Sequence, residues 1–261
     1  MIGIEWAPLA GAAVGAVVGL TGVGGGALMA PILLFGFGFD LATVVATDLL
    51  FATVTKLAAS AVHSKNKLVD WQISKRMWLG SIPATLFVLF LAANGSVFND
   101  NAWLIKLLGC LILISALSLL FGGRLQRLQQ QHRIEAPESF KRMQGPVTTL
   151  AGALLGALVS ITSIGAGALG AVILRSLYPL RMTAQKLVAT DTIHAIPVSL
   201  LAGVGYLTLG LVDLELLGLL LIGSIPAAAA SSFLLKHLPS DVVKYTLALA
   251  LLAASTKMIV A

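Results

Sequence analysis

The sequence predicts an all-α integral membrane protein built of two inverted repeats, each a re-entrant or broken first helix segment plus three transmembrane helices. Three observations carry that expectation: composition, an internal repeat at a fixed offset, and the placement of the basic residues. Of 261 residues, 58% are hydrophobic and only 11% charged, and the mean hydropathy is +0.97. Ordinary soluble domains run to about 25% charged residues. So few charges cannot cover the surface of a soluble domain of this length. A soluble enzyme, a disordered chain and a disulfide scaffold are excluded, and lipid is left as the solvent of the outer face.

The apolar segments run over 8–36, 41–64, 76–94, 102–123, 146–180, 183–207, 214–236 and 242–261. Most reach the ~20 residues that cross a ~30 Å hydrocarbon core as a helix. None alternates as a barrel strand does. Residues 124–145 (RLQRLQQQHRIEAPESFKRMQG) form the one long polar stretch, read as a solvated cytoplasmic linker with some helical character. It divides the chain into a first repeat, 1–123, and a second, 146–261.

Comparison of the halves supplies the repeat. Ala46-Thr47-Asp48 returns as Ala189-Thr190-Asp191, Leu68-Val69-Asp70 as Leu211-Val212-Asp213, and Gly80-Ser81-Ile82-Pro83-Ala84 as Gly223-Ser224-Ile225-Pro226-Ala227, all at an offset of 143 residues. The same offset sets Gly22 and Gly24 on Gly165 and Gly167. Duplications of this kind are common in secondary transporters.

The net charge of +6 and pI near 9.7 raise the question of a nucleic-acid partner. Lys and Arg sit mostly in short loops without interleaved aromatics, so the bias is that of cytoplasmic membrane loops and no nucleic acid is expected. The basic loops are 65–78, the linker, 175–186 and 236–244; those at 37–40, 95–101 and 208–213 hold no Lys or Arg. If all eight segments cross, the loop charges divide nine against five. If the first segment of each half leaves on the side it entered, all fourteen fall on one side, as the positive-inside rule prefers. Segments 8–36 and 146–180 suit such hairpins, because glycine clusters (Thr21-Gly22-Val23-Gly24-Gly25-Gly26 and Ser163-Ile164-Gly165-Ala166-Gly167) interrupt them. Each break leaves arms of about 14 residues, about 21 Å long, which pass the midplane without spanning. Three crossings per half then make the repeats inverted.

A hairpin tip at the midplane must be buried or face a polar cavity. A half-helix starting at Gly24–Gly26 presents free N–H donors and the positive end of its dipole, a natural anion site. Gly22, Gly24, Gly25, Gly26, Gly165 and Gly167 are therefore candidate substrate ligands, with Thr47 and Thr190 beside them; close helix packing is the competing role for the glycines. Asp48 and Asp191 lie about eight residues into their helices, a depth at which carboxylates are costly and face the bundle interior or a water-filled path. His194 shares the face of Asp191. Lys56 lies eight residues after Asp48, on a similar face but about 12 Å along the axis, too far for direct pairing. Asp48, Lys56, Asp191 and His194 are candidates for proton coupling or charge balance, with Lys56 fitting either an anionic substrate or a structural counter-charge.

Cys110, in the apolar run LLGCLILI, is expected in the core. His63 is expected at a helix end and His132 in the linker. The start, MIGIEWAPLAG, lacks the basic residues of a cleavable signal peptide, and none is expected. No HExxH, CxxC, Walker loop or nucleophile elbow is present. No cofactor, metal centre or enzymatic activity is expected.

With GLTGVGGGALMAPILL at 19–34, ATDLLFATVTKLAASAVHSKNKLVDW at 46–71, GSIPA at 80–84 and the second-half copies ATDTIHAIPVSLLAGVGYLTLGLVDL and GSIPA, the chain resembles the sulfite exporter TauE/SafE (TSUP) family over nearly its whole length. The resemblance implies an inner-membrane permease of duplicated fold that moves small anions such as sulfite or organosulfonates, with export driven by the proton gradient. The family's GxGGGxxxxP pattern maps onto Gly22, Gly24, Gly25, Gly26 and Pro31. Asp48 and Asp191 stand where many members have a small polar residue, and Ala168 stands where the first cluster has Gly25. An anion channel and an uptake permease for sulfate- or thiosulfate-like anions are the alternative readings.

Overall fold

A computed structural model describes residues 3–21, 26–63, 68–98, 101–134, 137–164, 167–234 and 240–260. All regular structure among them is helical. After a 3-10 turn at Ile4–Trp6 come α1 (Ala7–Thr21), α2 (Gly26–Pro31), α3 (Leu41–His63), α4 (Trp71–Ala93) and α5 (Asn101–Ile134). The second half follows with α6 (Pro137–Thr162), α7 (Ala168–Leu177), α8 (Ala184–Thr208), α9 (Leu214–Leu234) and α10 (Ser240–Val260). Pro31 lacks the N–H that would continue α2, and the chain widens into π turns over Ile32–Phe37 before Gly38 ends them at φ 79°. Most of the polar stretch 124–145 is helical, as extensions of α5 and α6.

Six helices, α3, α4, α5, α6, α8 and α9, are long and apolar enough to cross a membrane, and the chain is a multi-pass membrane protein. Their outer faces expose large apolar side chains such as Leu79, Phe87 and Phe90 on α4, Leu150 and Leu154 on α6, and Ile222 on α9. Such a surface is stable only against lipid. Cys110 lies on one of these faces, exposed on α5, which corrects the expectation of a core cysteine. An apolar run marks the core only when the solvent is polar, and here the solvent-facing side is equally apolar.

The halves exchange their contacts. α1 packs along α9 as α6 packs along α4; α3 packs on α8, and α5 on α10. The equivalent helices α3 and α8 run antiparallel, since Leu50 meets Gly203 while Thr53 Oγ1 meets Ser199 Oγ at 2.8 Å. Two hydrogen bonds repeat across the pair: the Asp213 N–H donates to Thr47 Oγ1 at 3.1 Å, and the Asp70 N–H donates to Thr190 Oγ1 at 3.0 Å.

Glycines set the tight contacts of the outer pairs. Gly11 and Gly15 of α1 lie on the backbone of Leu220 and Ser224, and Gly152 and Gly156 of α6 lie on that of Met77 and Ser81. A methyl group at any of the four would overlap that backbone, the small-xxx-small geometry of membrane helices. These contacts also correct the alignment of the halves. Met77 and Ser81 match Leu220 and Ser224 at 143 residues, but Gly11 and Gly15 match Gly152 and Gly156 at 141. On that offset Thr21-Gly22-Val23-Gly24-Gly25-Gly26-Ala27-Leu28 pairs with Thr162-Ser163-Ile164-Gly165-Ala166-Gly167-Ala168-Leu169. Gly24 and Gly26, not Gly22 and Gly24, are thus the counterparts of Gly165 and Gly167. Two residues of extra loop after α7 restore the later offset.

The second broken helix is a hairpin. α6 ends at Thr162, α7 starts after Gly167, and the end of α7 returns to the start of α6. There Gln144 Nε2 donates to the Leu177 carbonyl at 2.8 Å, and Thr148 Oγ1 meets the Tyr178 hydroxyl at 2.7 Å. Its arms are uneven: α6 has 26 residues and α7 has 10, where arms of about 14 were expected. The expected length suits α1, at 15 residues. At the end where α6 begins, Arg181 Nε pairs with Asp70 Oδ2 at 2.6 Å and Gly145 lies against Arg76. Asp70 and Arg76 at the start of α4, Arg181 in the loop after α7, and Gly145 at the end of the linker therefore share one end of the bundle.

Candidate functional site

The site forms where the buried faces of α3 and α8 meet the break between α6 and α7. α3 is buried without interruption from Val44 to Leu49, so the short polar pair Thr47-Asp48 is carried into the core by a helix that is apolar around it. Asp48 is fully buried, and its Oδ2 accepts a hydrogen bond from Ser163 Oγ at 2.5 Å. Its Oδ1 has no partner among the described residues.

Ser163 is reached because α6 stops there. Its own N–H still bonds the Val159 carbonyl at 2.7 Å, but it turns to φ 57°, the one non-glycine residue at positive φ among those described. Thr162 Oγ1 secures the turn by donating to the Ile164 carbonyl at 2.9 Å. Gly167 then takes φ 120°, a conformation that L side chains rarely adopt, and caps the start of α7.

Asp191, on α8, sits over the first turn of α7. The Gly167 N–H faces its carboxylate, and its Oδ1 rests so closely on Gly170 that a side chain there would have to displace the carboxylate. That oxygen also lacks a partner among the described residues. Lys56 is 4% exposed and faces both carboxylates without a direct ion pair to either. The Lys56 charge also reaches His194. His194 is 1% exposed; its Nε2 meets Ser81 Oγ at 3.1 Å while Nδ1 is unpartnered among the described residues. Trp78 Nε1 donates to the His194 carbonyl at 3.2 Å and fixes α8 against α4.

The four expected charge-carrying residues, Asp48, Lys56, Asp191 and His194, are thus brought together. Burying ionisable groups without full pairing is expensive, so a cluster with three orphaned atoms marks a place built for something other than stability. Gly167 lies beside it. Gly26 is the first residue of α2. Gly22, Gly24, Gly25 and Gly165 lie outside the described residues. Thr47 and Thr190 are buried, and both hydroxyls already accept the backbone bonds that join the halves.

Ser163, Ser81 and Gly170 belong to the site without having been expected there. Nothing in an apolar run distinguishes a serine that meets a buried aspartate. The correct offset for the first helices does place Ser163 opposite Gly22, inside the interrupted segment. His63 ends α3 and His132 falls in the extended α5.

A polytopic helical bundle that buries unpaired charges beside a broken helix defines a membrane transporter, since such groups in spanning segments serve a permeating solute. The chain belongs to the sulfite exporter TauE/SafE family, whose sequence pattern matches residues 7–258. It is similar to the probable membrane transporter protein YjnA of Bacillus subtilis (strain 168), with 34% identity over 254 residues, 96% of this chain and 98% of the relative. It is also similar to the probable membrane transporter protein MJ0441 of Methanocaldococcus jannaschii, with 28% identity over 206 residues, 77% of this chain and 71% of the relative. No solved structure matches it.

Proposed function

We propose that the protein is a secondary transporter, working as an exporter, of a small sulfur-containing anion such as sulfite or an organosulfonate. Alternating access moves the substrate through a site at the bilayer midplane, with protons as coupling ions. The chain is an inverted repeat in the inner membrane, with residues 124–145 cytoplasmic. The antiparallel α3 and α8, the exchanged contacts of the halves and the gathering of basic loops at one end support that topology.

The observation that carries the reading is the set Asp48, Lys56, Asp191 and His194, buried beside the start of α7 in a chain of this family. The substrate binds at the hairpin tips. Gly167 and Gly165 contribute from one tip and Gly22, Gly24, Gly25 and Gly26 from the other, with the hydroxyl protons of Thr47 and Thr190 nearby. Lys56 offsets the anion's charge, and the coupled proton is carried by a member of the set Asp48, Asp191 and His194. A permanently open channel has no use for buried carboxylates that hold the helix break.

The test is flux of sulfite, sulfate, thiosulfate and methanesulfonate in proteoliposomes. Saturable flux of at least one sulfur anion, weakened in Asp48→Asn and Asp191→Asn, is expected. No flux of any of them, or flux unaltered by both substitutions, contradicts it.

A further inference from the structure

The first turn of a helix that starts inside a membrane bundle attracts negative charge, through free N–H groups and the helix dipole. α7, ten residues long, is such a helix, and its anion position is occupied. Asp191 comes from another helix, is 3% exposed, and places its carboxylate between the Gly167 N–H and the Cα of Gly170. Gly170 is the third residue of α7, and any side chain there would evict the carboxylate.

The carboxylate is nevertheless loosely satisfied, since Oδ1 finds no donor among the described residues. Asp48 makes a parallel contact on the other side of the same break, through Ser163 Oγ, with Oδ1 likewise unpartnered. Both carboxylates thus occupy donors of the α6–α7 tip, and each keeps one oxygen without a donor among the described residues. A structural cap would be expected to use both oxygens.

We propose that Asp191 is a resident place-holder for the transported anion. In the anion-free protein its carboxylate fills the start of α7; an incoming oxyanion takes that place, and the displaced carboxylate takes up one proton from the open side. This rests on the small-anion transport proposed above. The ligand it fits is a singly charged or delocalised oxyanion, such as a sulfonate or hydrogen sulfite, whose oxygens replace the carboxylate oxygens on the same donors.

The charged group facing Asp191 is Lys56 of α3, with Asp48 also facing that lysine. On α8 itself His194 faces Lys56, α4 offers the neutral Ser81 hydroxyl, and Arg175 of α7 lies instead against Gly122 of α5. With Lys56 already facing two carboxylates, a further anion enters without excess buried charge only if a carboxylate is neutralised as it arrives. Anion and proton therefore travel together. Export then runs on the anion's own outward gradient and carries a proton with it, in contrast to the export driven by the proton gradient that the family resemblance implies.

The experiment measures binding of methanesulfonate and of sulfate to the purified full chain in nanodiscs, between about pH 5.5 and about pH 8, where neither probe changes its own charge. Wild-type affinity should strengthen by up to tenfold for each unit of falling pH, as expected when one proton is bound with the anion. Asp191→Asn should bind roughly tenfold more tightly than wild type near neutral pH, with a flat profile. Asp191→Ser serves if the first variant does not fold, and the wild-type profile decides if neither does.

A flat wild-type profile, or an unchanged slope in the variants, overturns the place-holder. Acetate and chloride complete the panel. If the wild type binds one of them and neither sulfur anion, with a slope that Asp191→Asn abolishes, the place-holder stands and the sulfur-anion reading falls. If a sulfur anion binds with a slope that persists in Asp191→Asn, the place-holder falls and the sulfur-anion reading stands.

Discussion

Ser163 donates to Asp48 across the two halves of the chain, Oγ to Oδ2 at 2.5 Å, and it does so from a backbone at φ 57°. Two opposing effects therefore meet at one residue. Ser163→Ala keeps the unfavourable φ and leaves Asp48 without its donor, which should cost about 1–3 kcal/mol. Ser163→Gly also loses the bond but relieves the backbone by about 1 kcal/mol. Thermal unfolding in detergent should rank wild type above the glycine variant and the glycine variant above alanine. An alanine variant as stable as wild type would show that the bond holds nothing.

The reciprocal bonds Asp213 N–H to Thr47 and Asp70 N–H to Thr190 lie at equivalent places in the two halves. Thr47→Val and Thr190→Val should each lower stability by about 1 kcal/mol and add in the double variant, because the two bonds share no partner. Denaturation of the three variants checks this, and a large loss in only one single variant would break the equivalence.

Gly80 lies on the Thr149 carbonyl and Gly223 on that of Pro8, whereas Gly218 faces open space. Gly80→Ala and Gly223→Ala should each cost about 1–3 kcal/mol or more by forcing α4 from α6 and α9 from α1. Gly218→Ala should be neutral or stabilise by up to about 1 kcal/mol through helix propensity. Unfolding temperatures of the three proteins separate close packing from the general cost of altering a membrane helix.

Lys56 faces Asp48 and Asp191 at once. Lys56→Met leaves both carboxylates buried without a facing charge, and a loss of stability smaller than the ~3–5 kcal/mol of a broken direct buried ion pair is expected. Removing a negative charge as well, in Lys56→Met/Asp191→Asn, should recover part of that loss. Recovery measured as folded yield and unfolding temperature supports the coupling; no recovery would mean that Lys56 acts through its packing alone.

The buried charges were legible in the sequence because lipid makes them rare: Asp48, Lys56, Asp191 and His194 stand out in apolar helices, and the fold gathers them. The helices were legible for the same reason, as α3, α4, α8 and α9 begin and end within a few residues of the expected apolar segments, apart from the earlier start of α4. What lay hidden depends on contacts between helices. Ser163 looks like any small residue of a membrane helix until α6 stops beside Asp48. Cys110 points outward because the core and the lipid are equally apolar. The two-residue shift between Gly11 and Gly152 is masked by short glycine motifs that match in more than one register, and only the backbones they touch decide between registers.

The most direct test of the account is the internal pH of proteoliposomes during methanesulfonate efflux, since this anion of a strong acid carries no proton by itself. If the displaced carboxylate takes a proton with each anion, efflux through the wild-type protein leaves the lumen more alkaline, and Asp191→Asn abolishes the pH change. Efflux at constant luminal pH, or with luminal acidification, would contradict the coupling of anion and proton through Asp191.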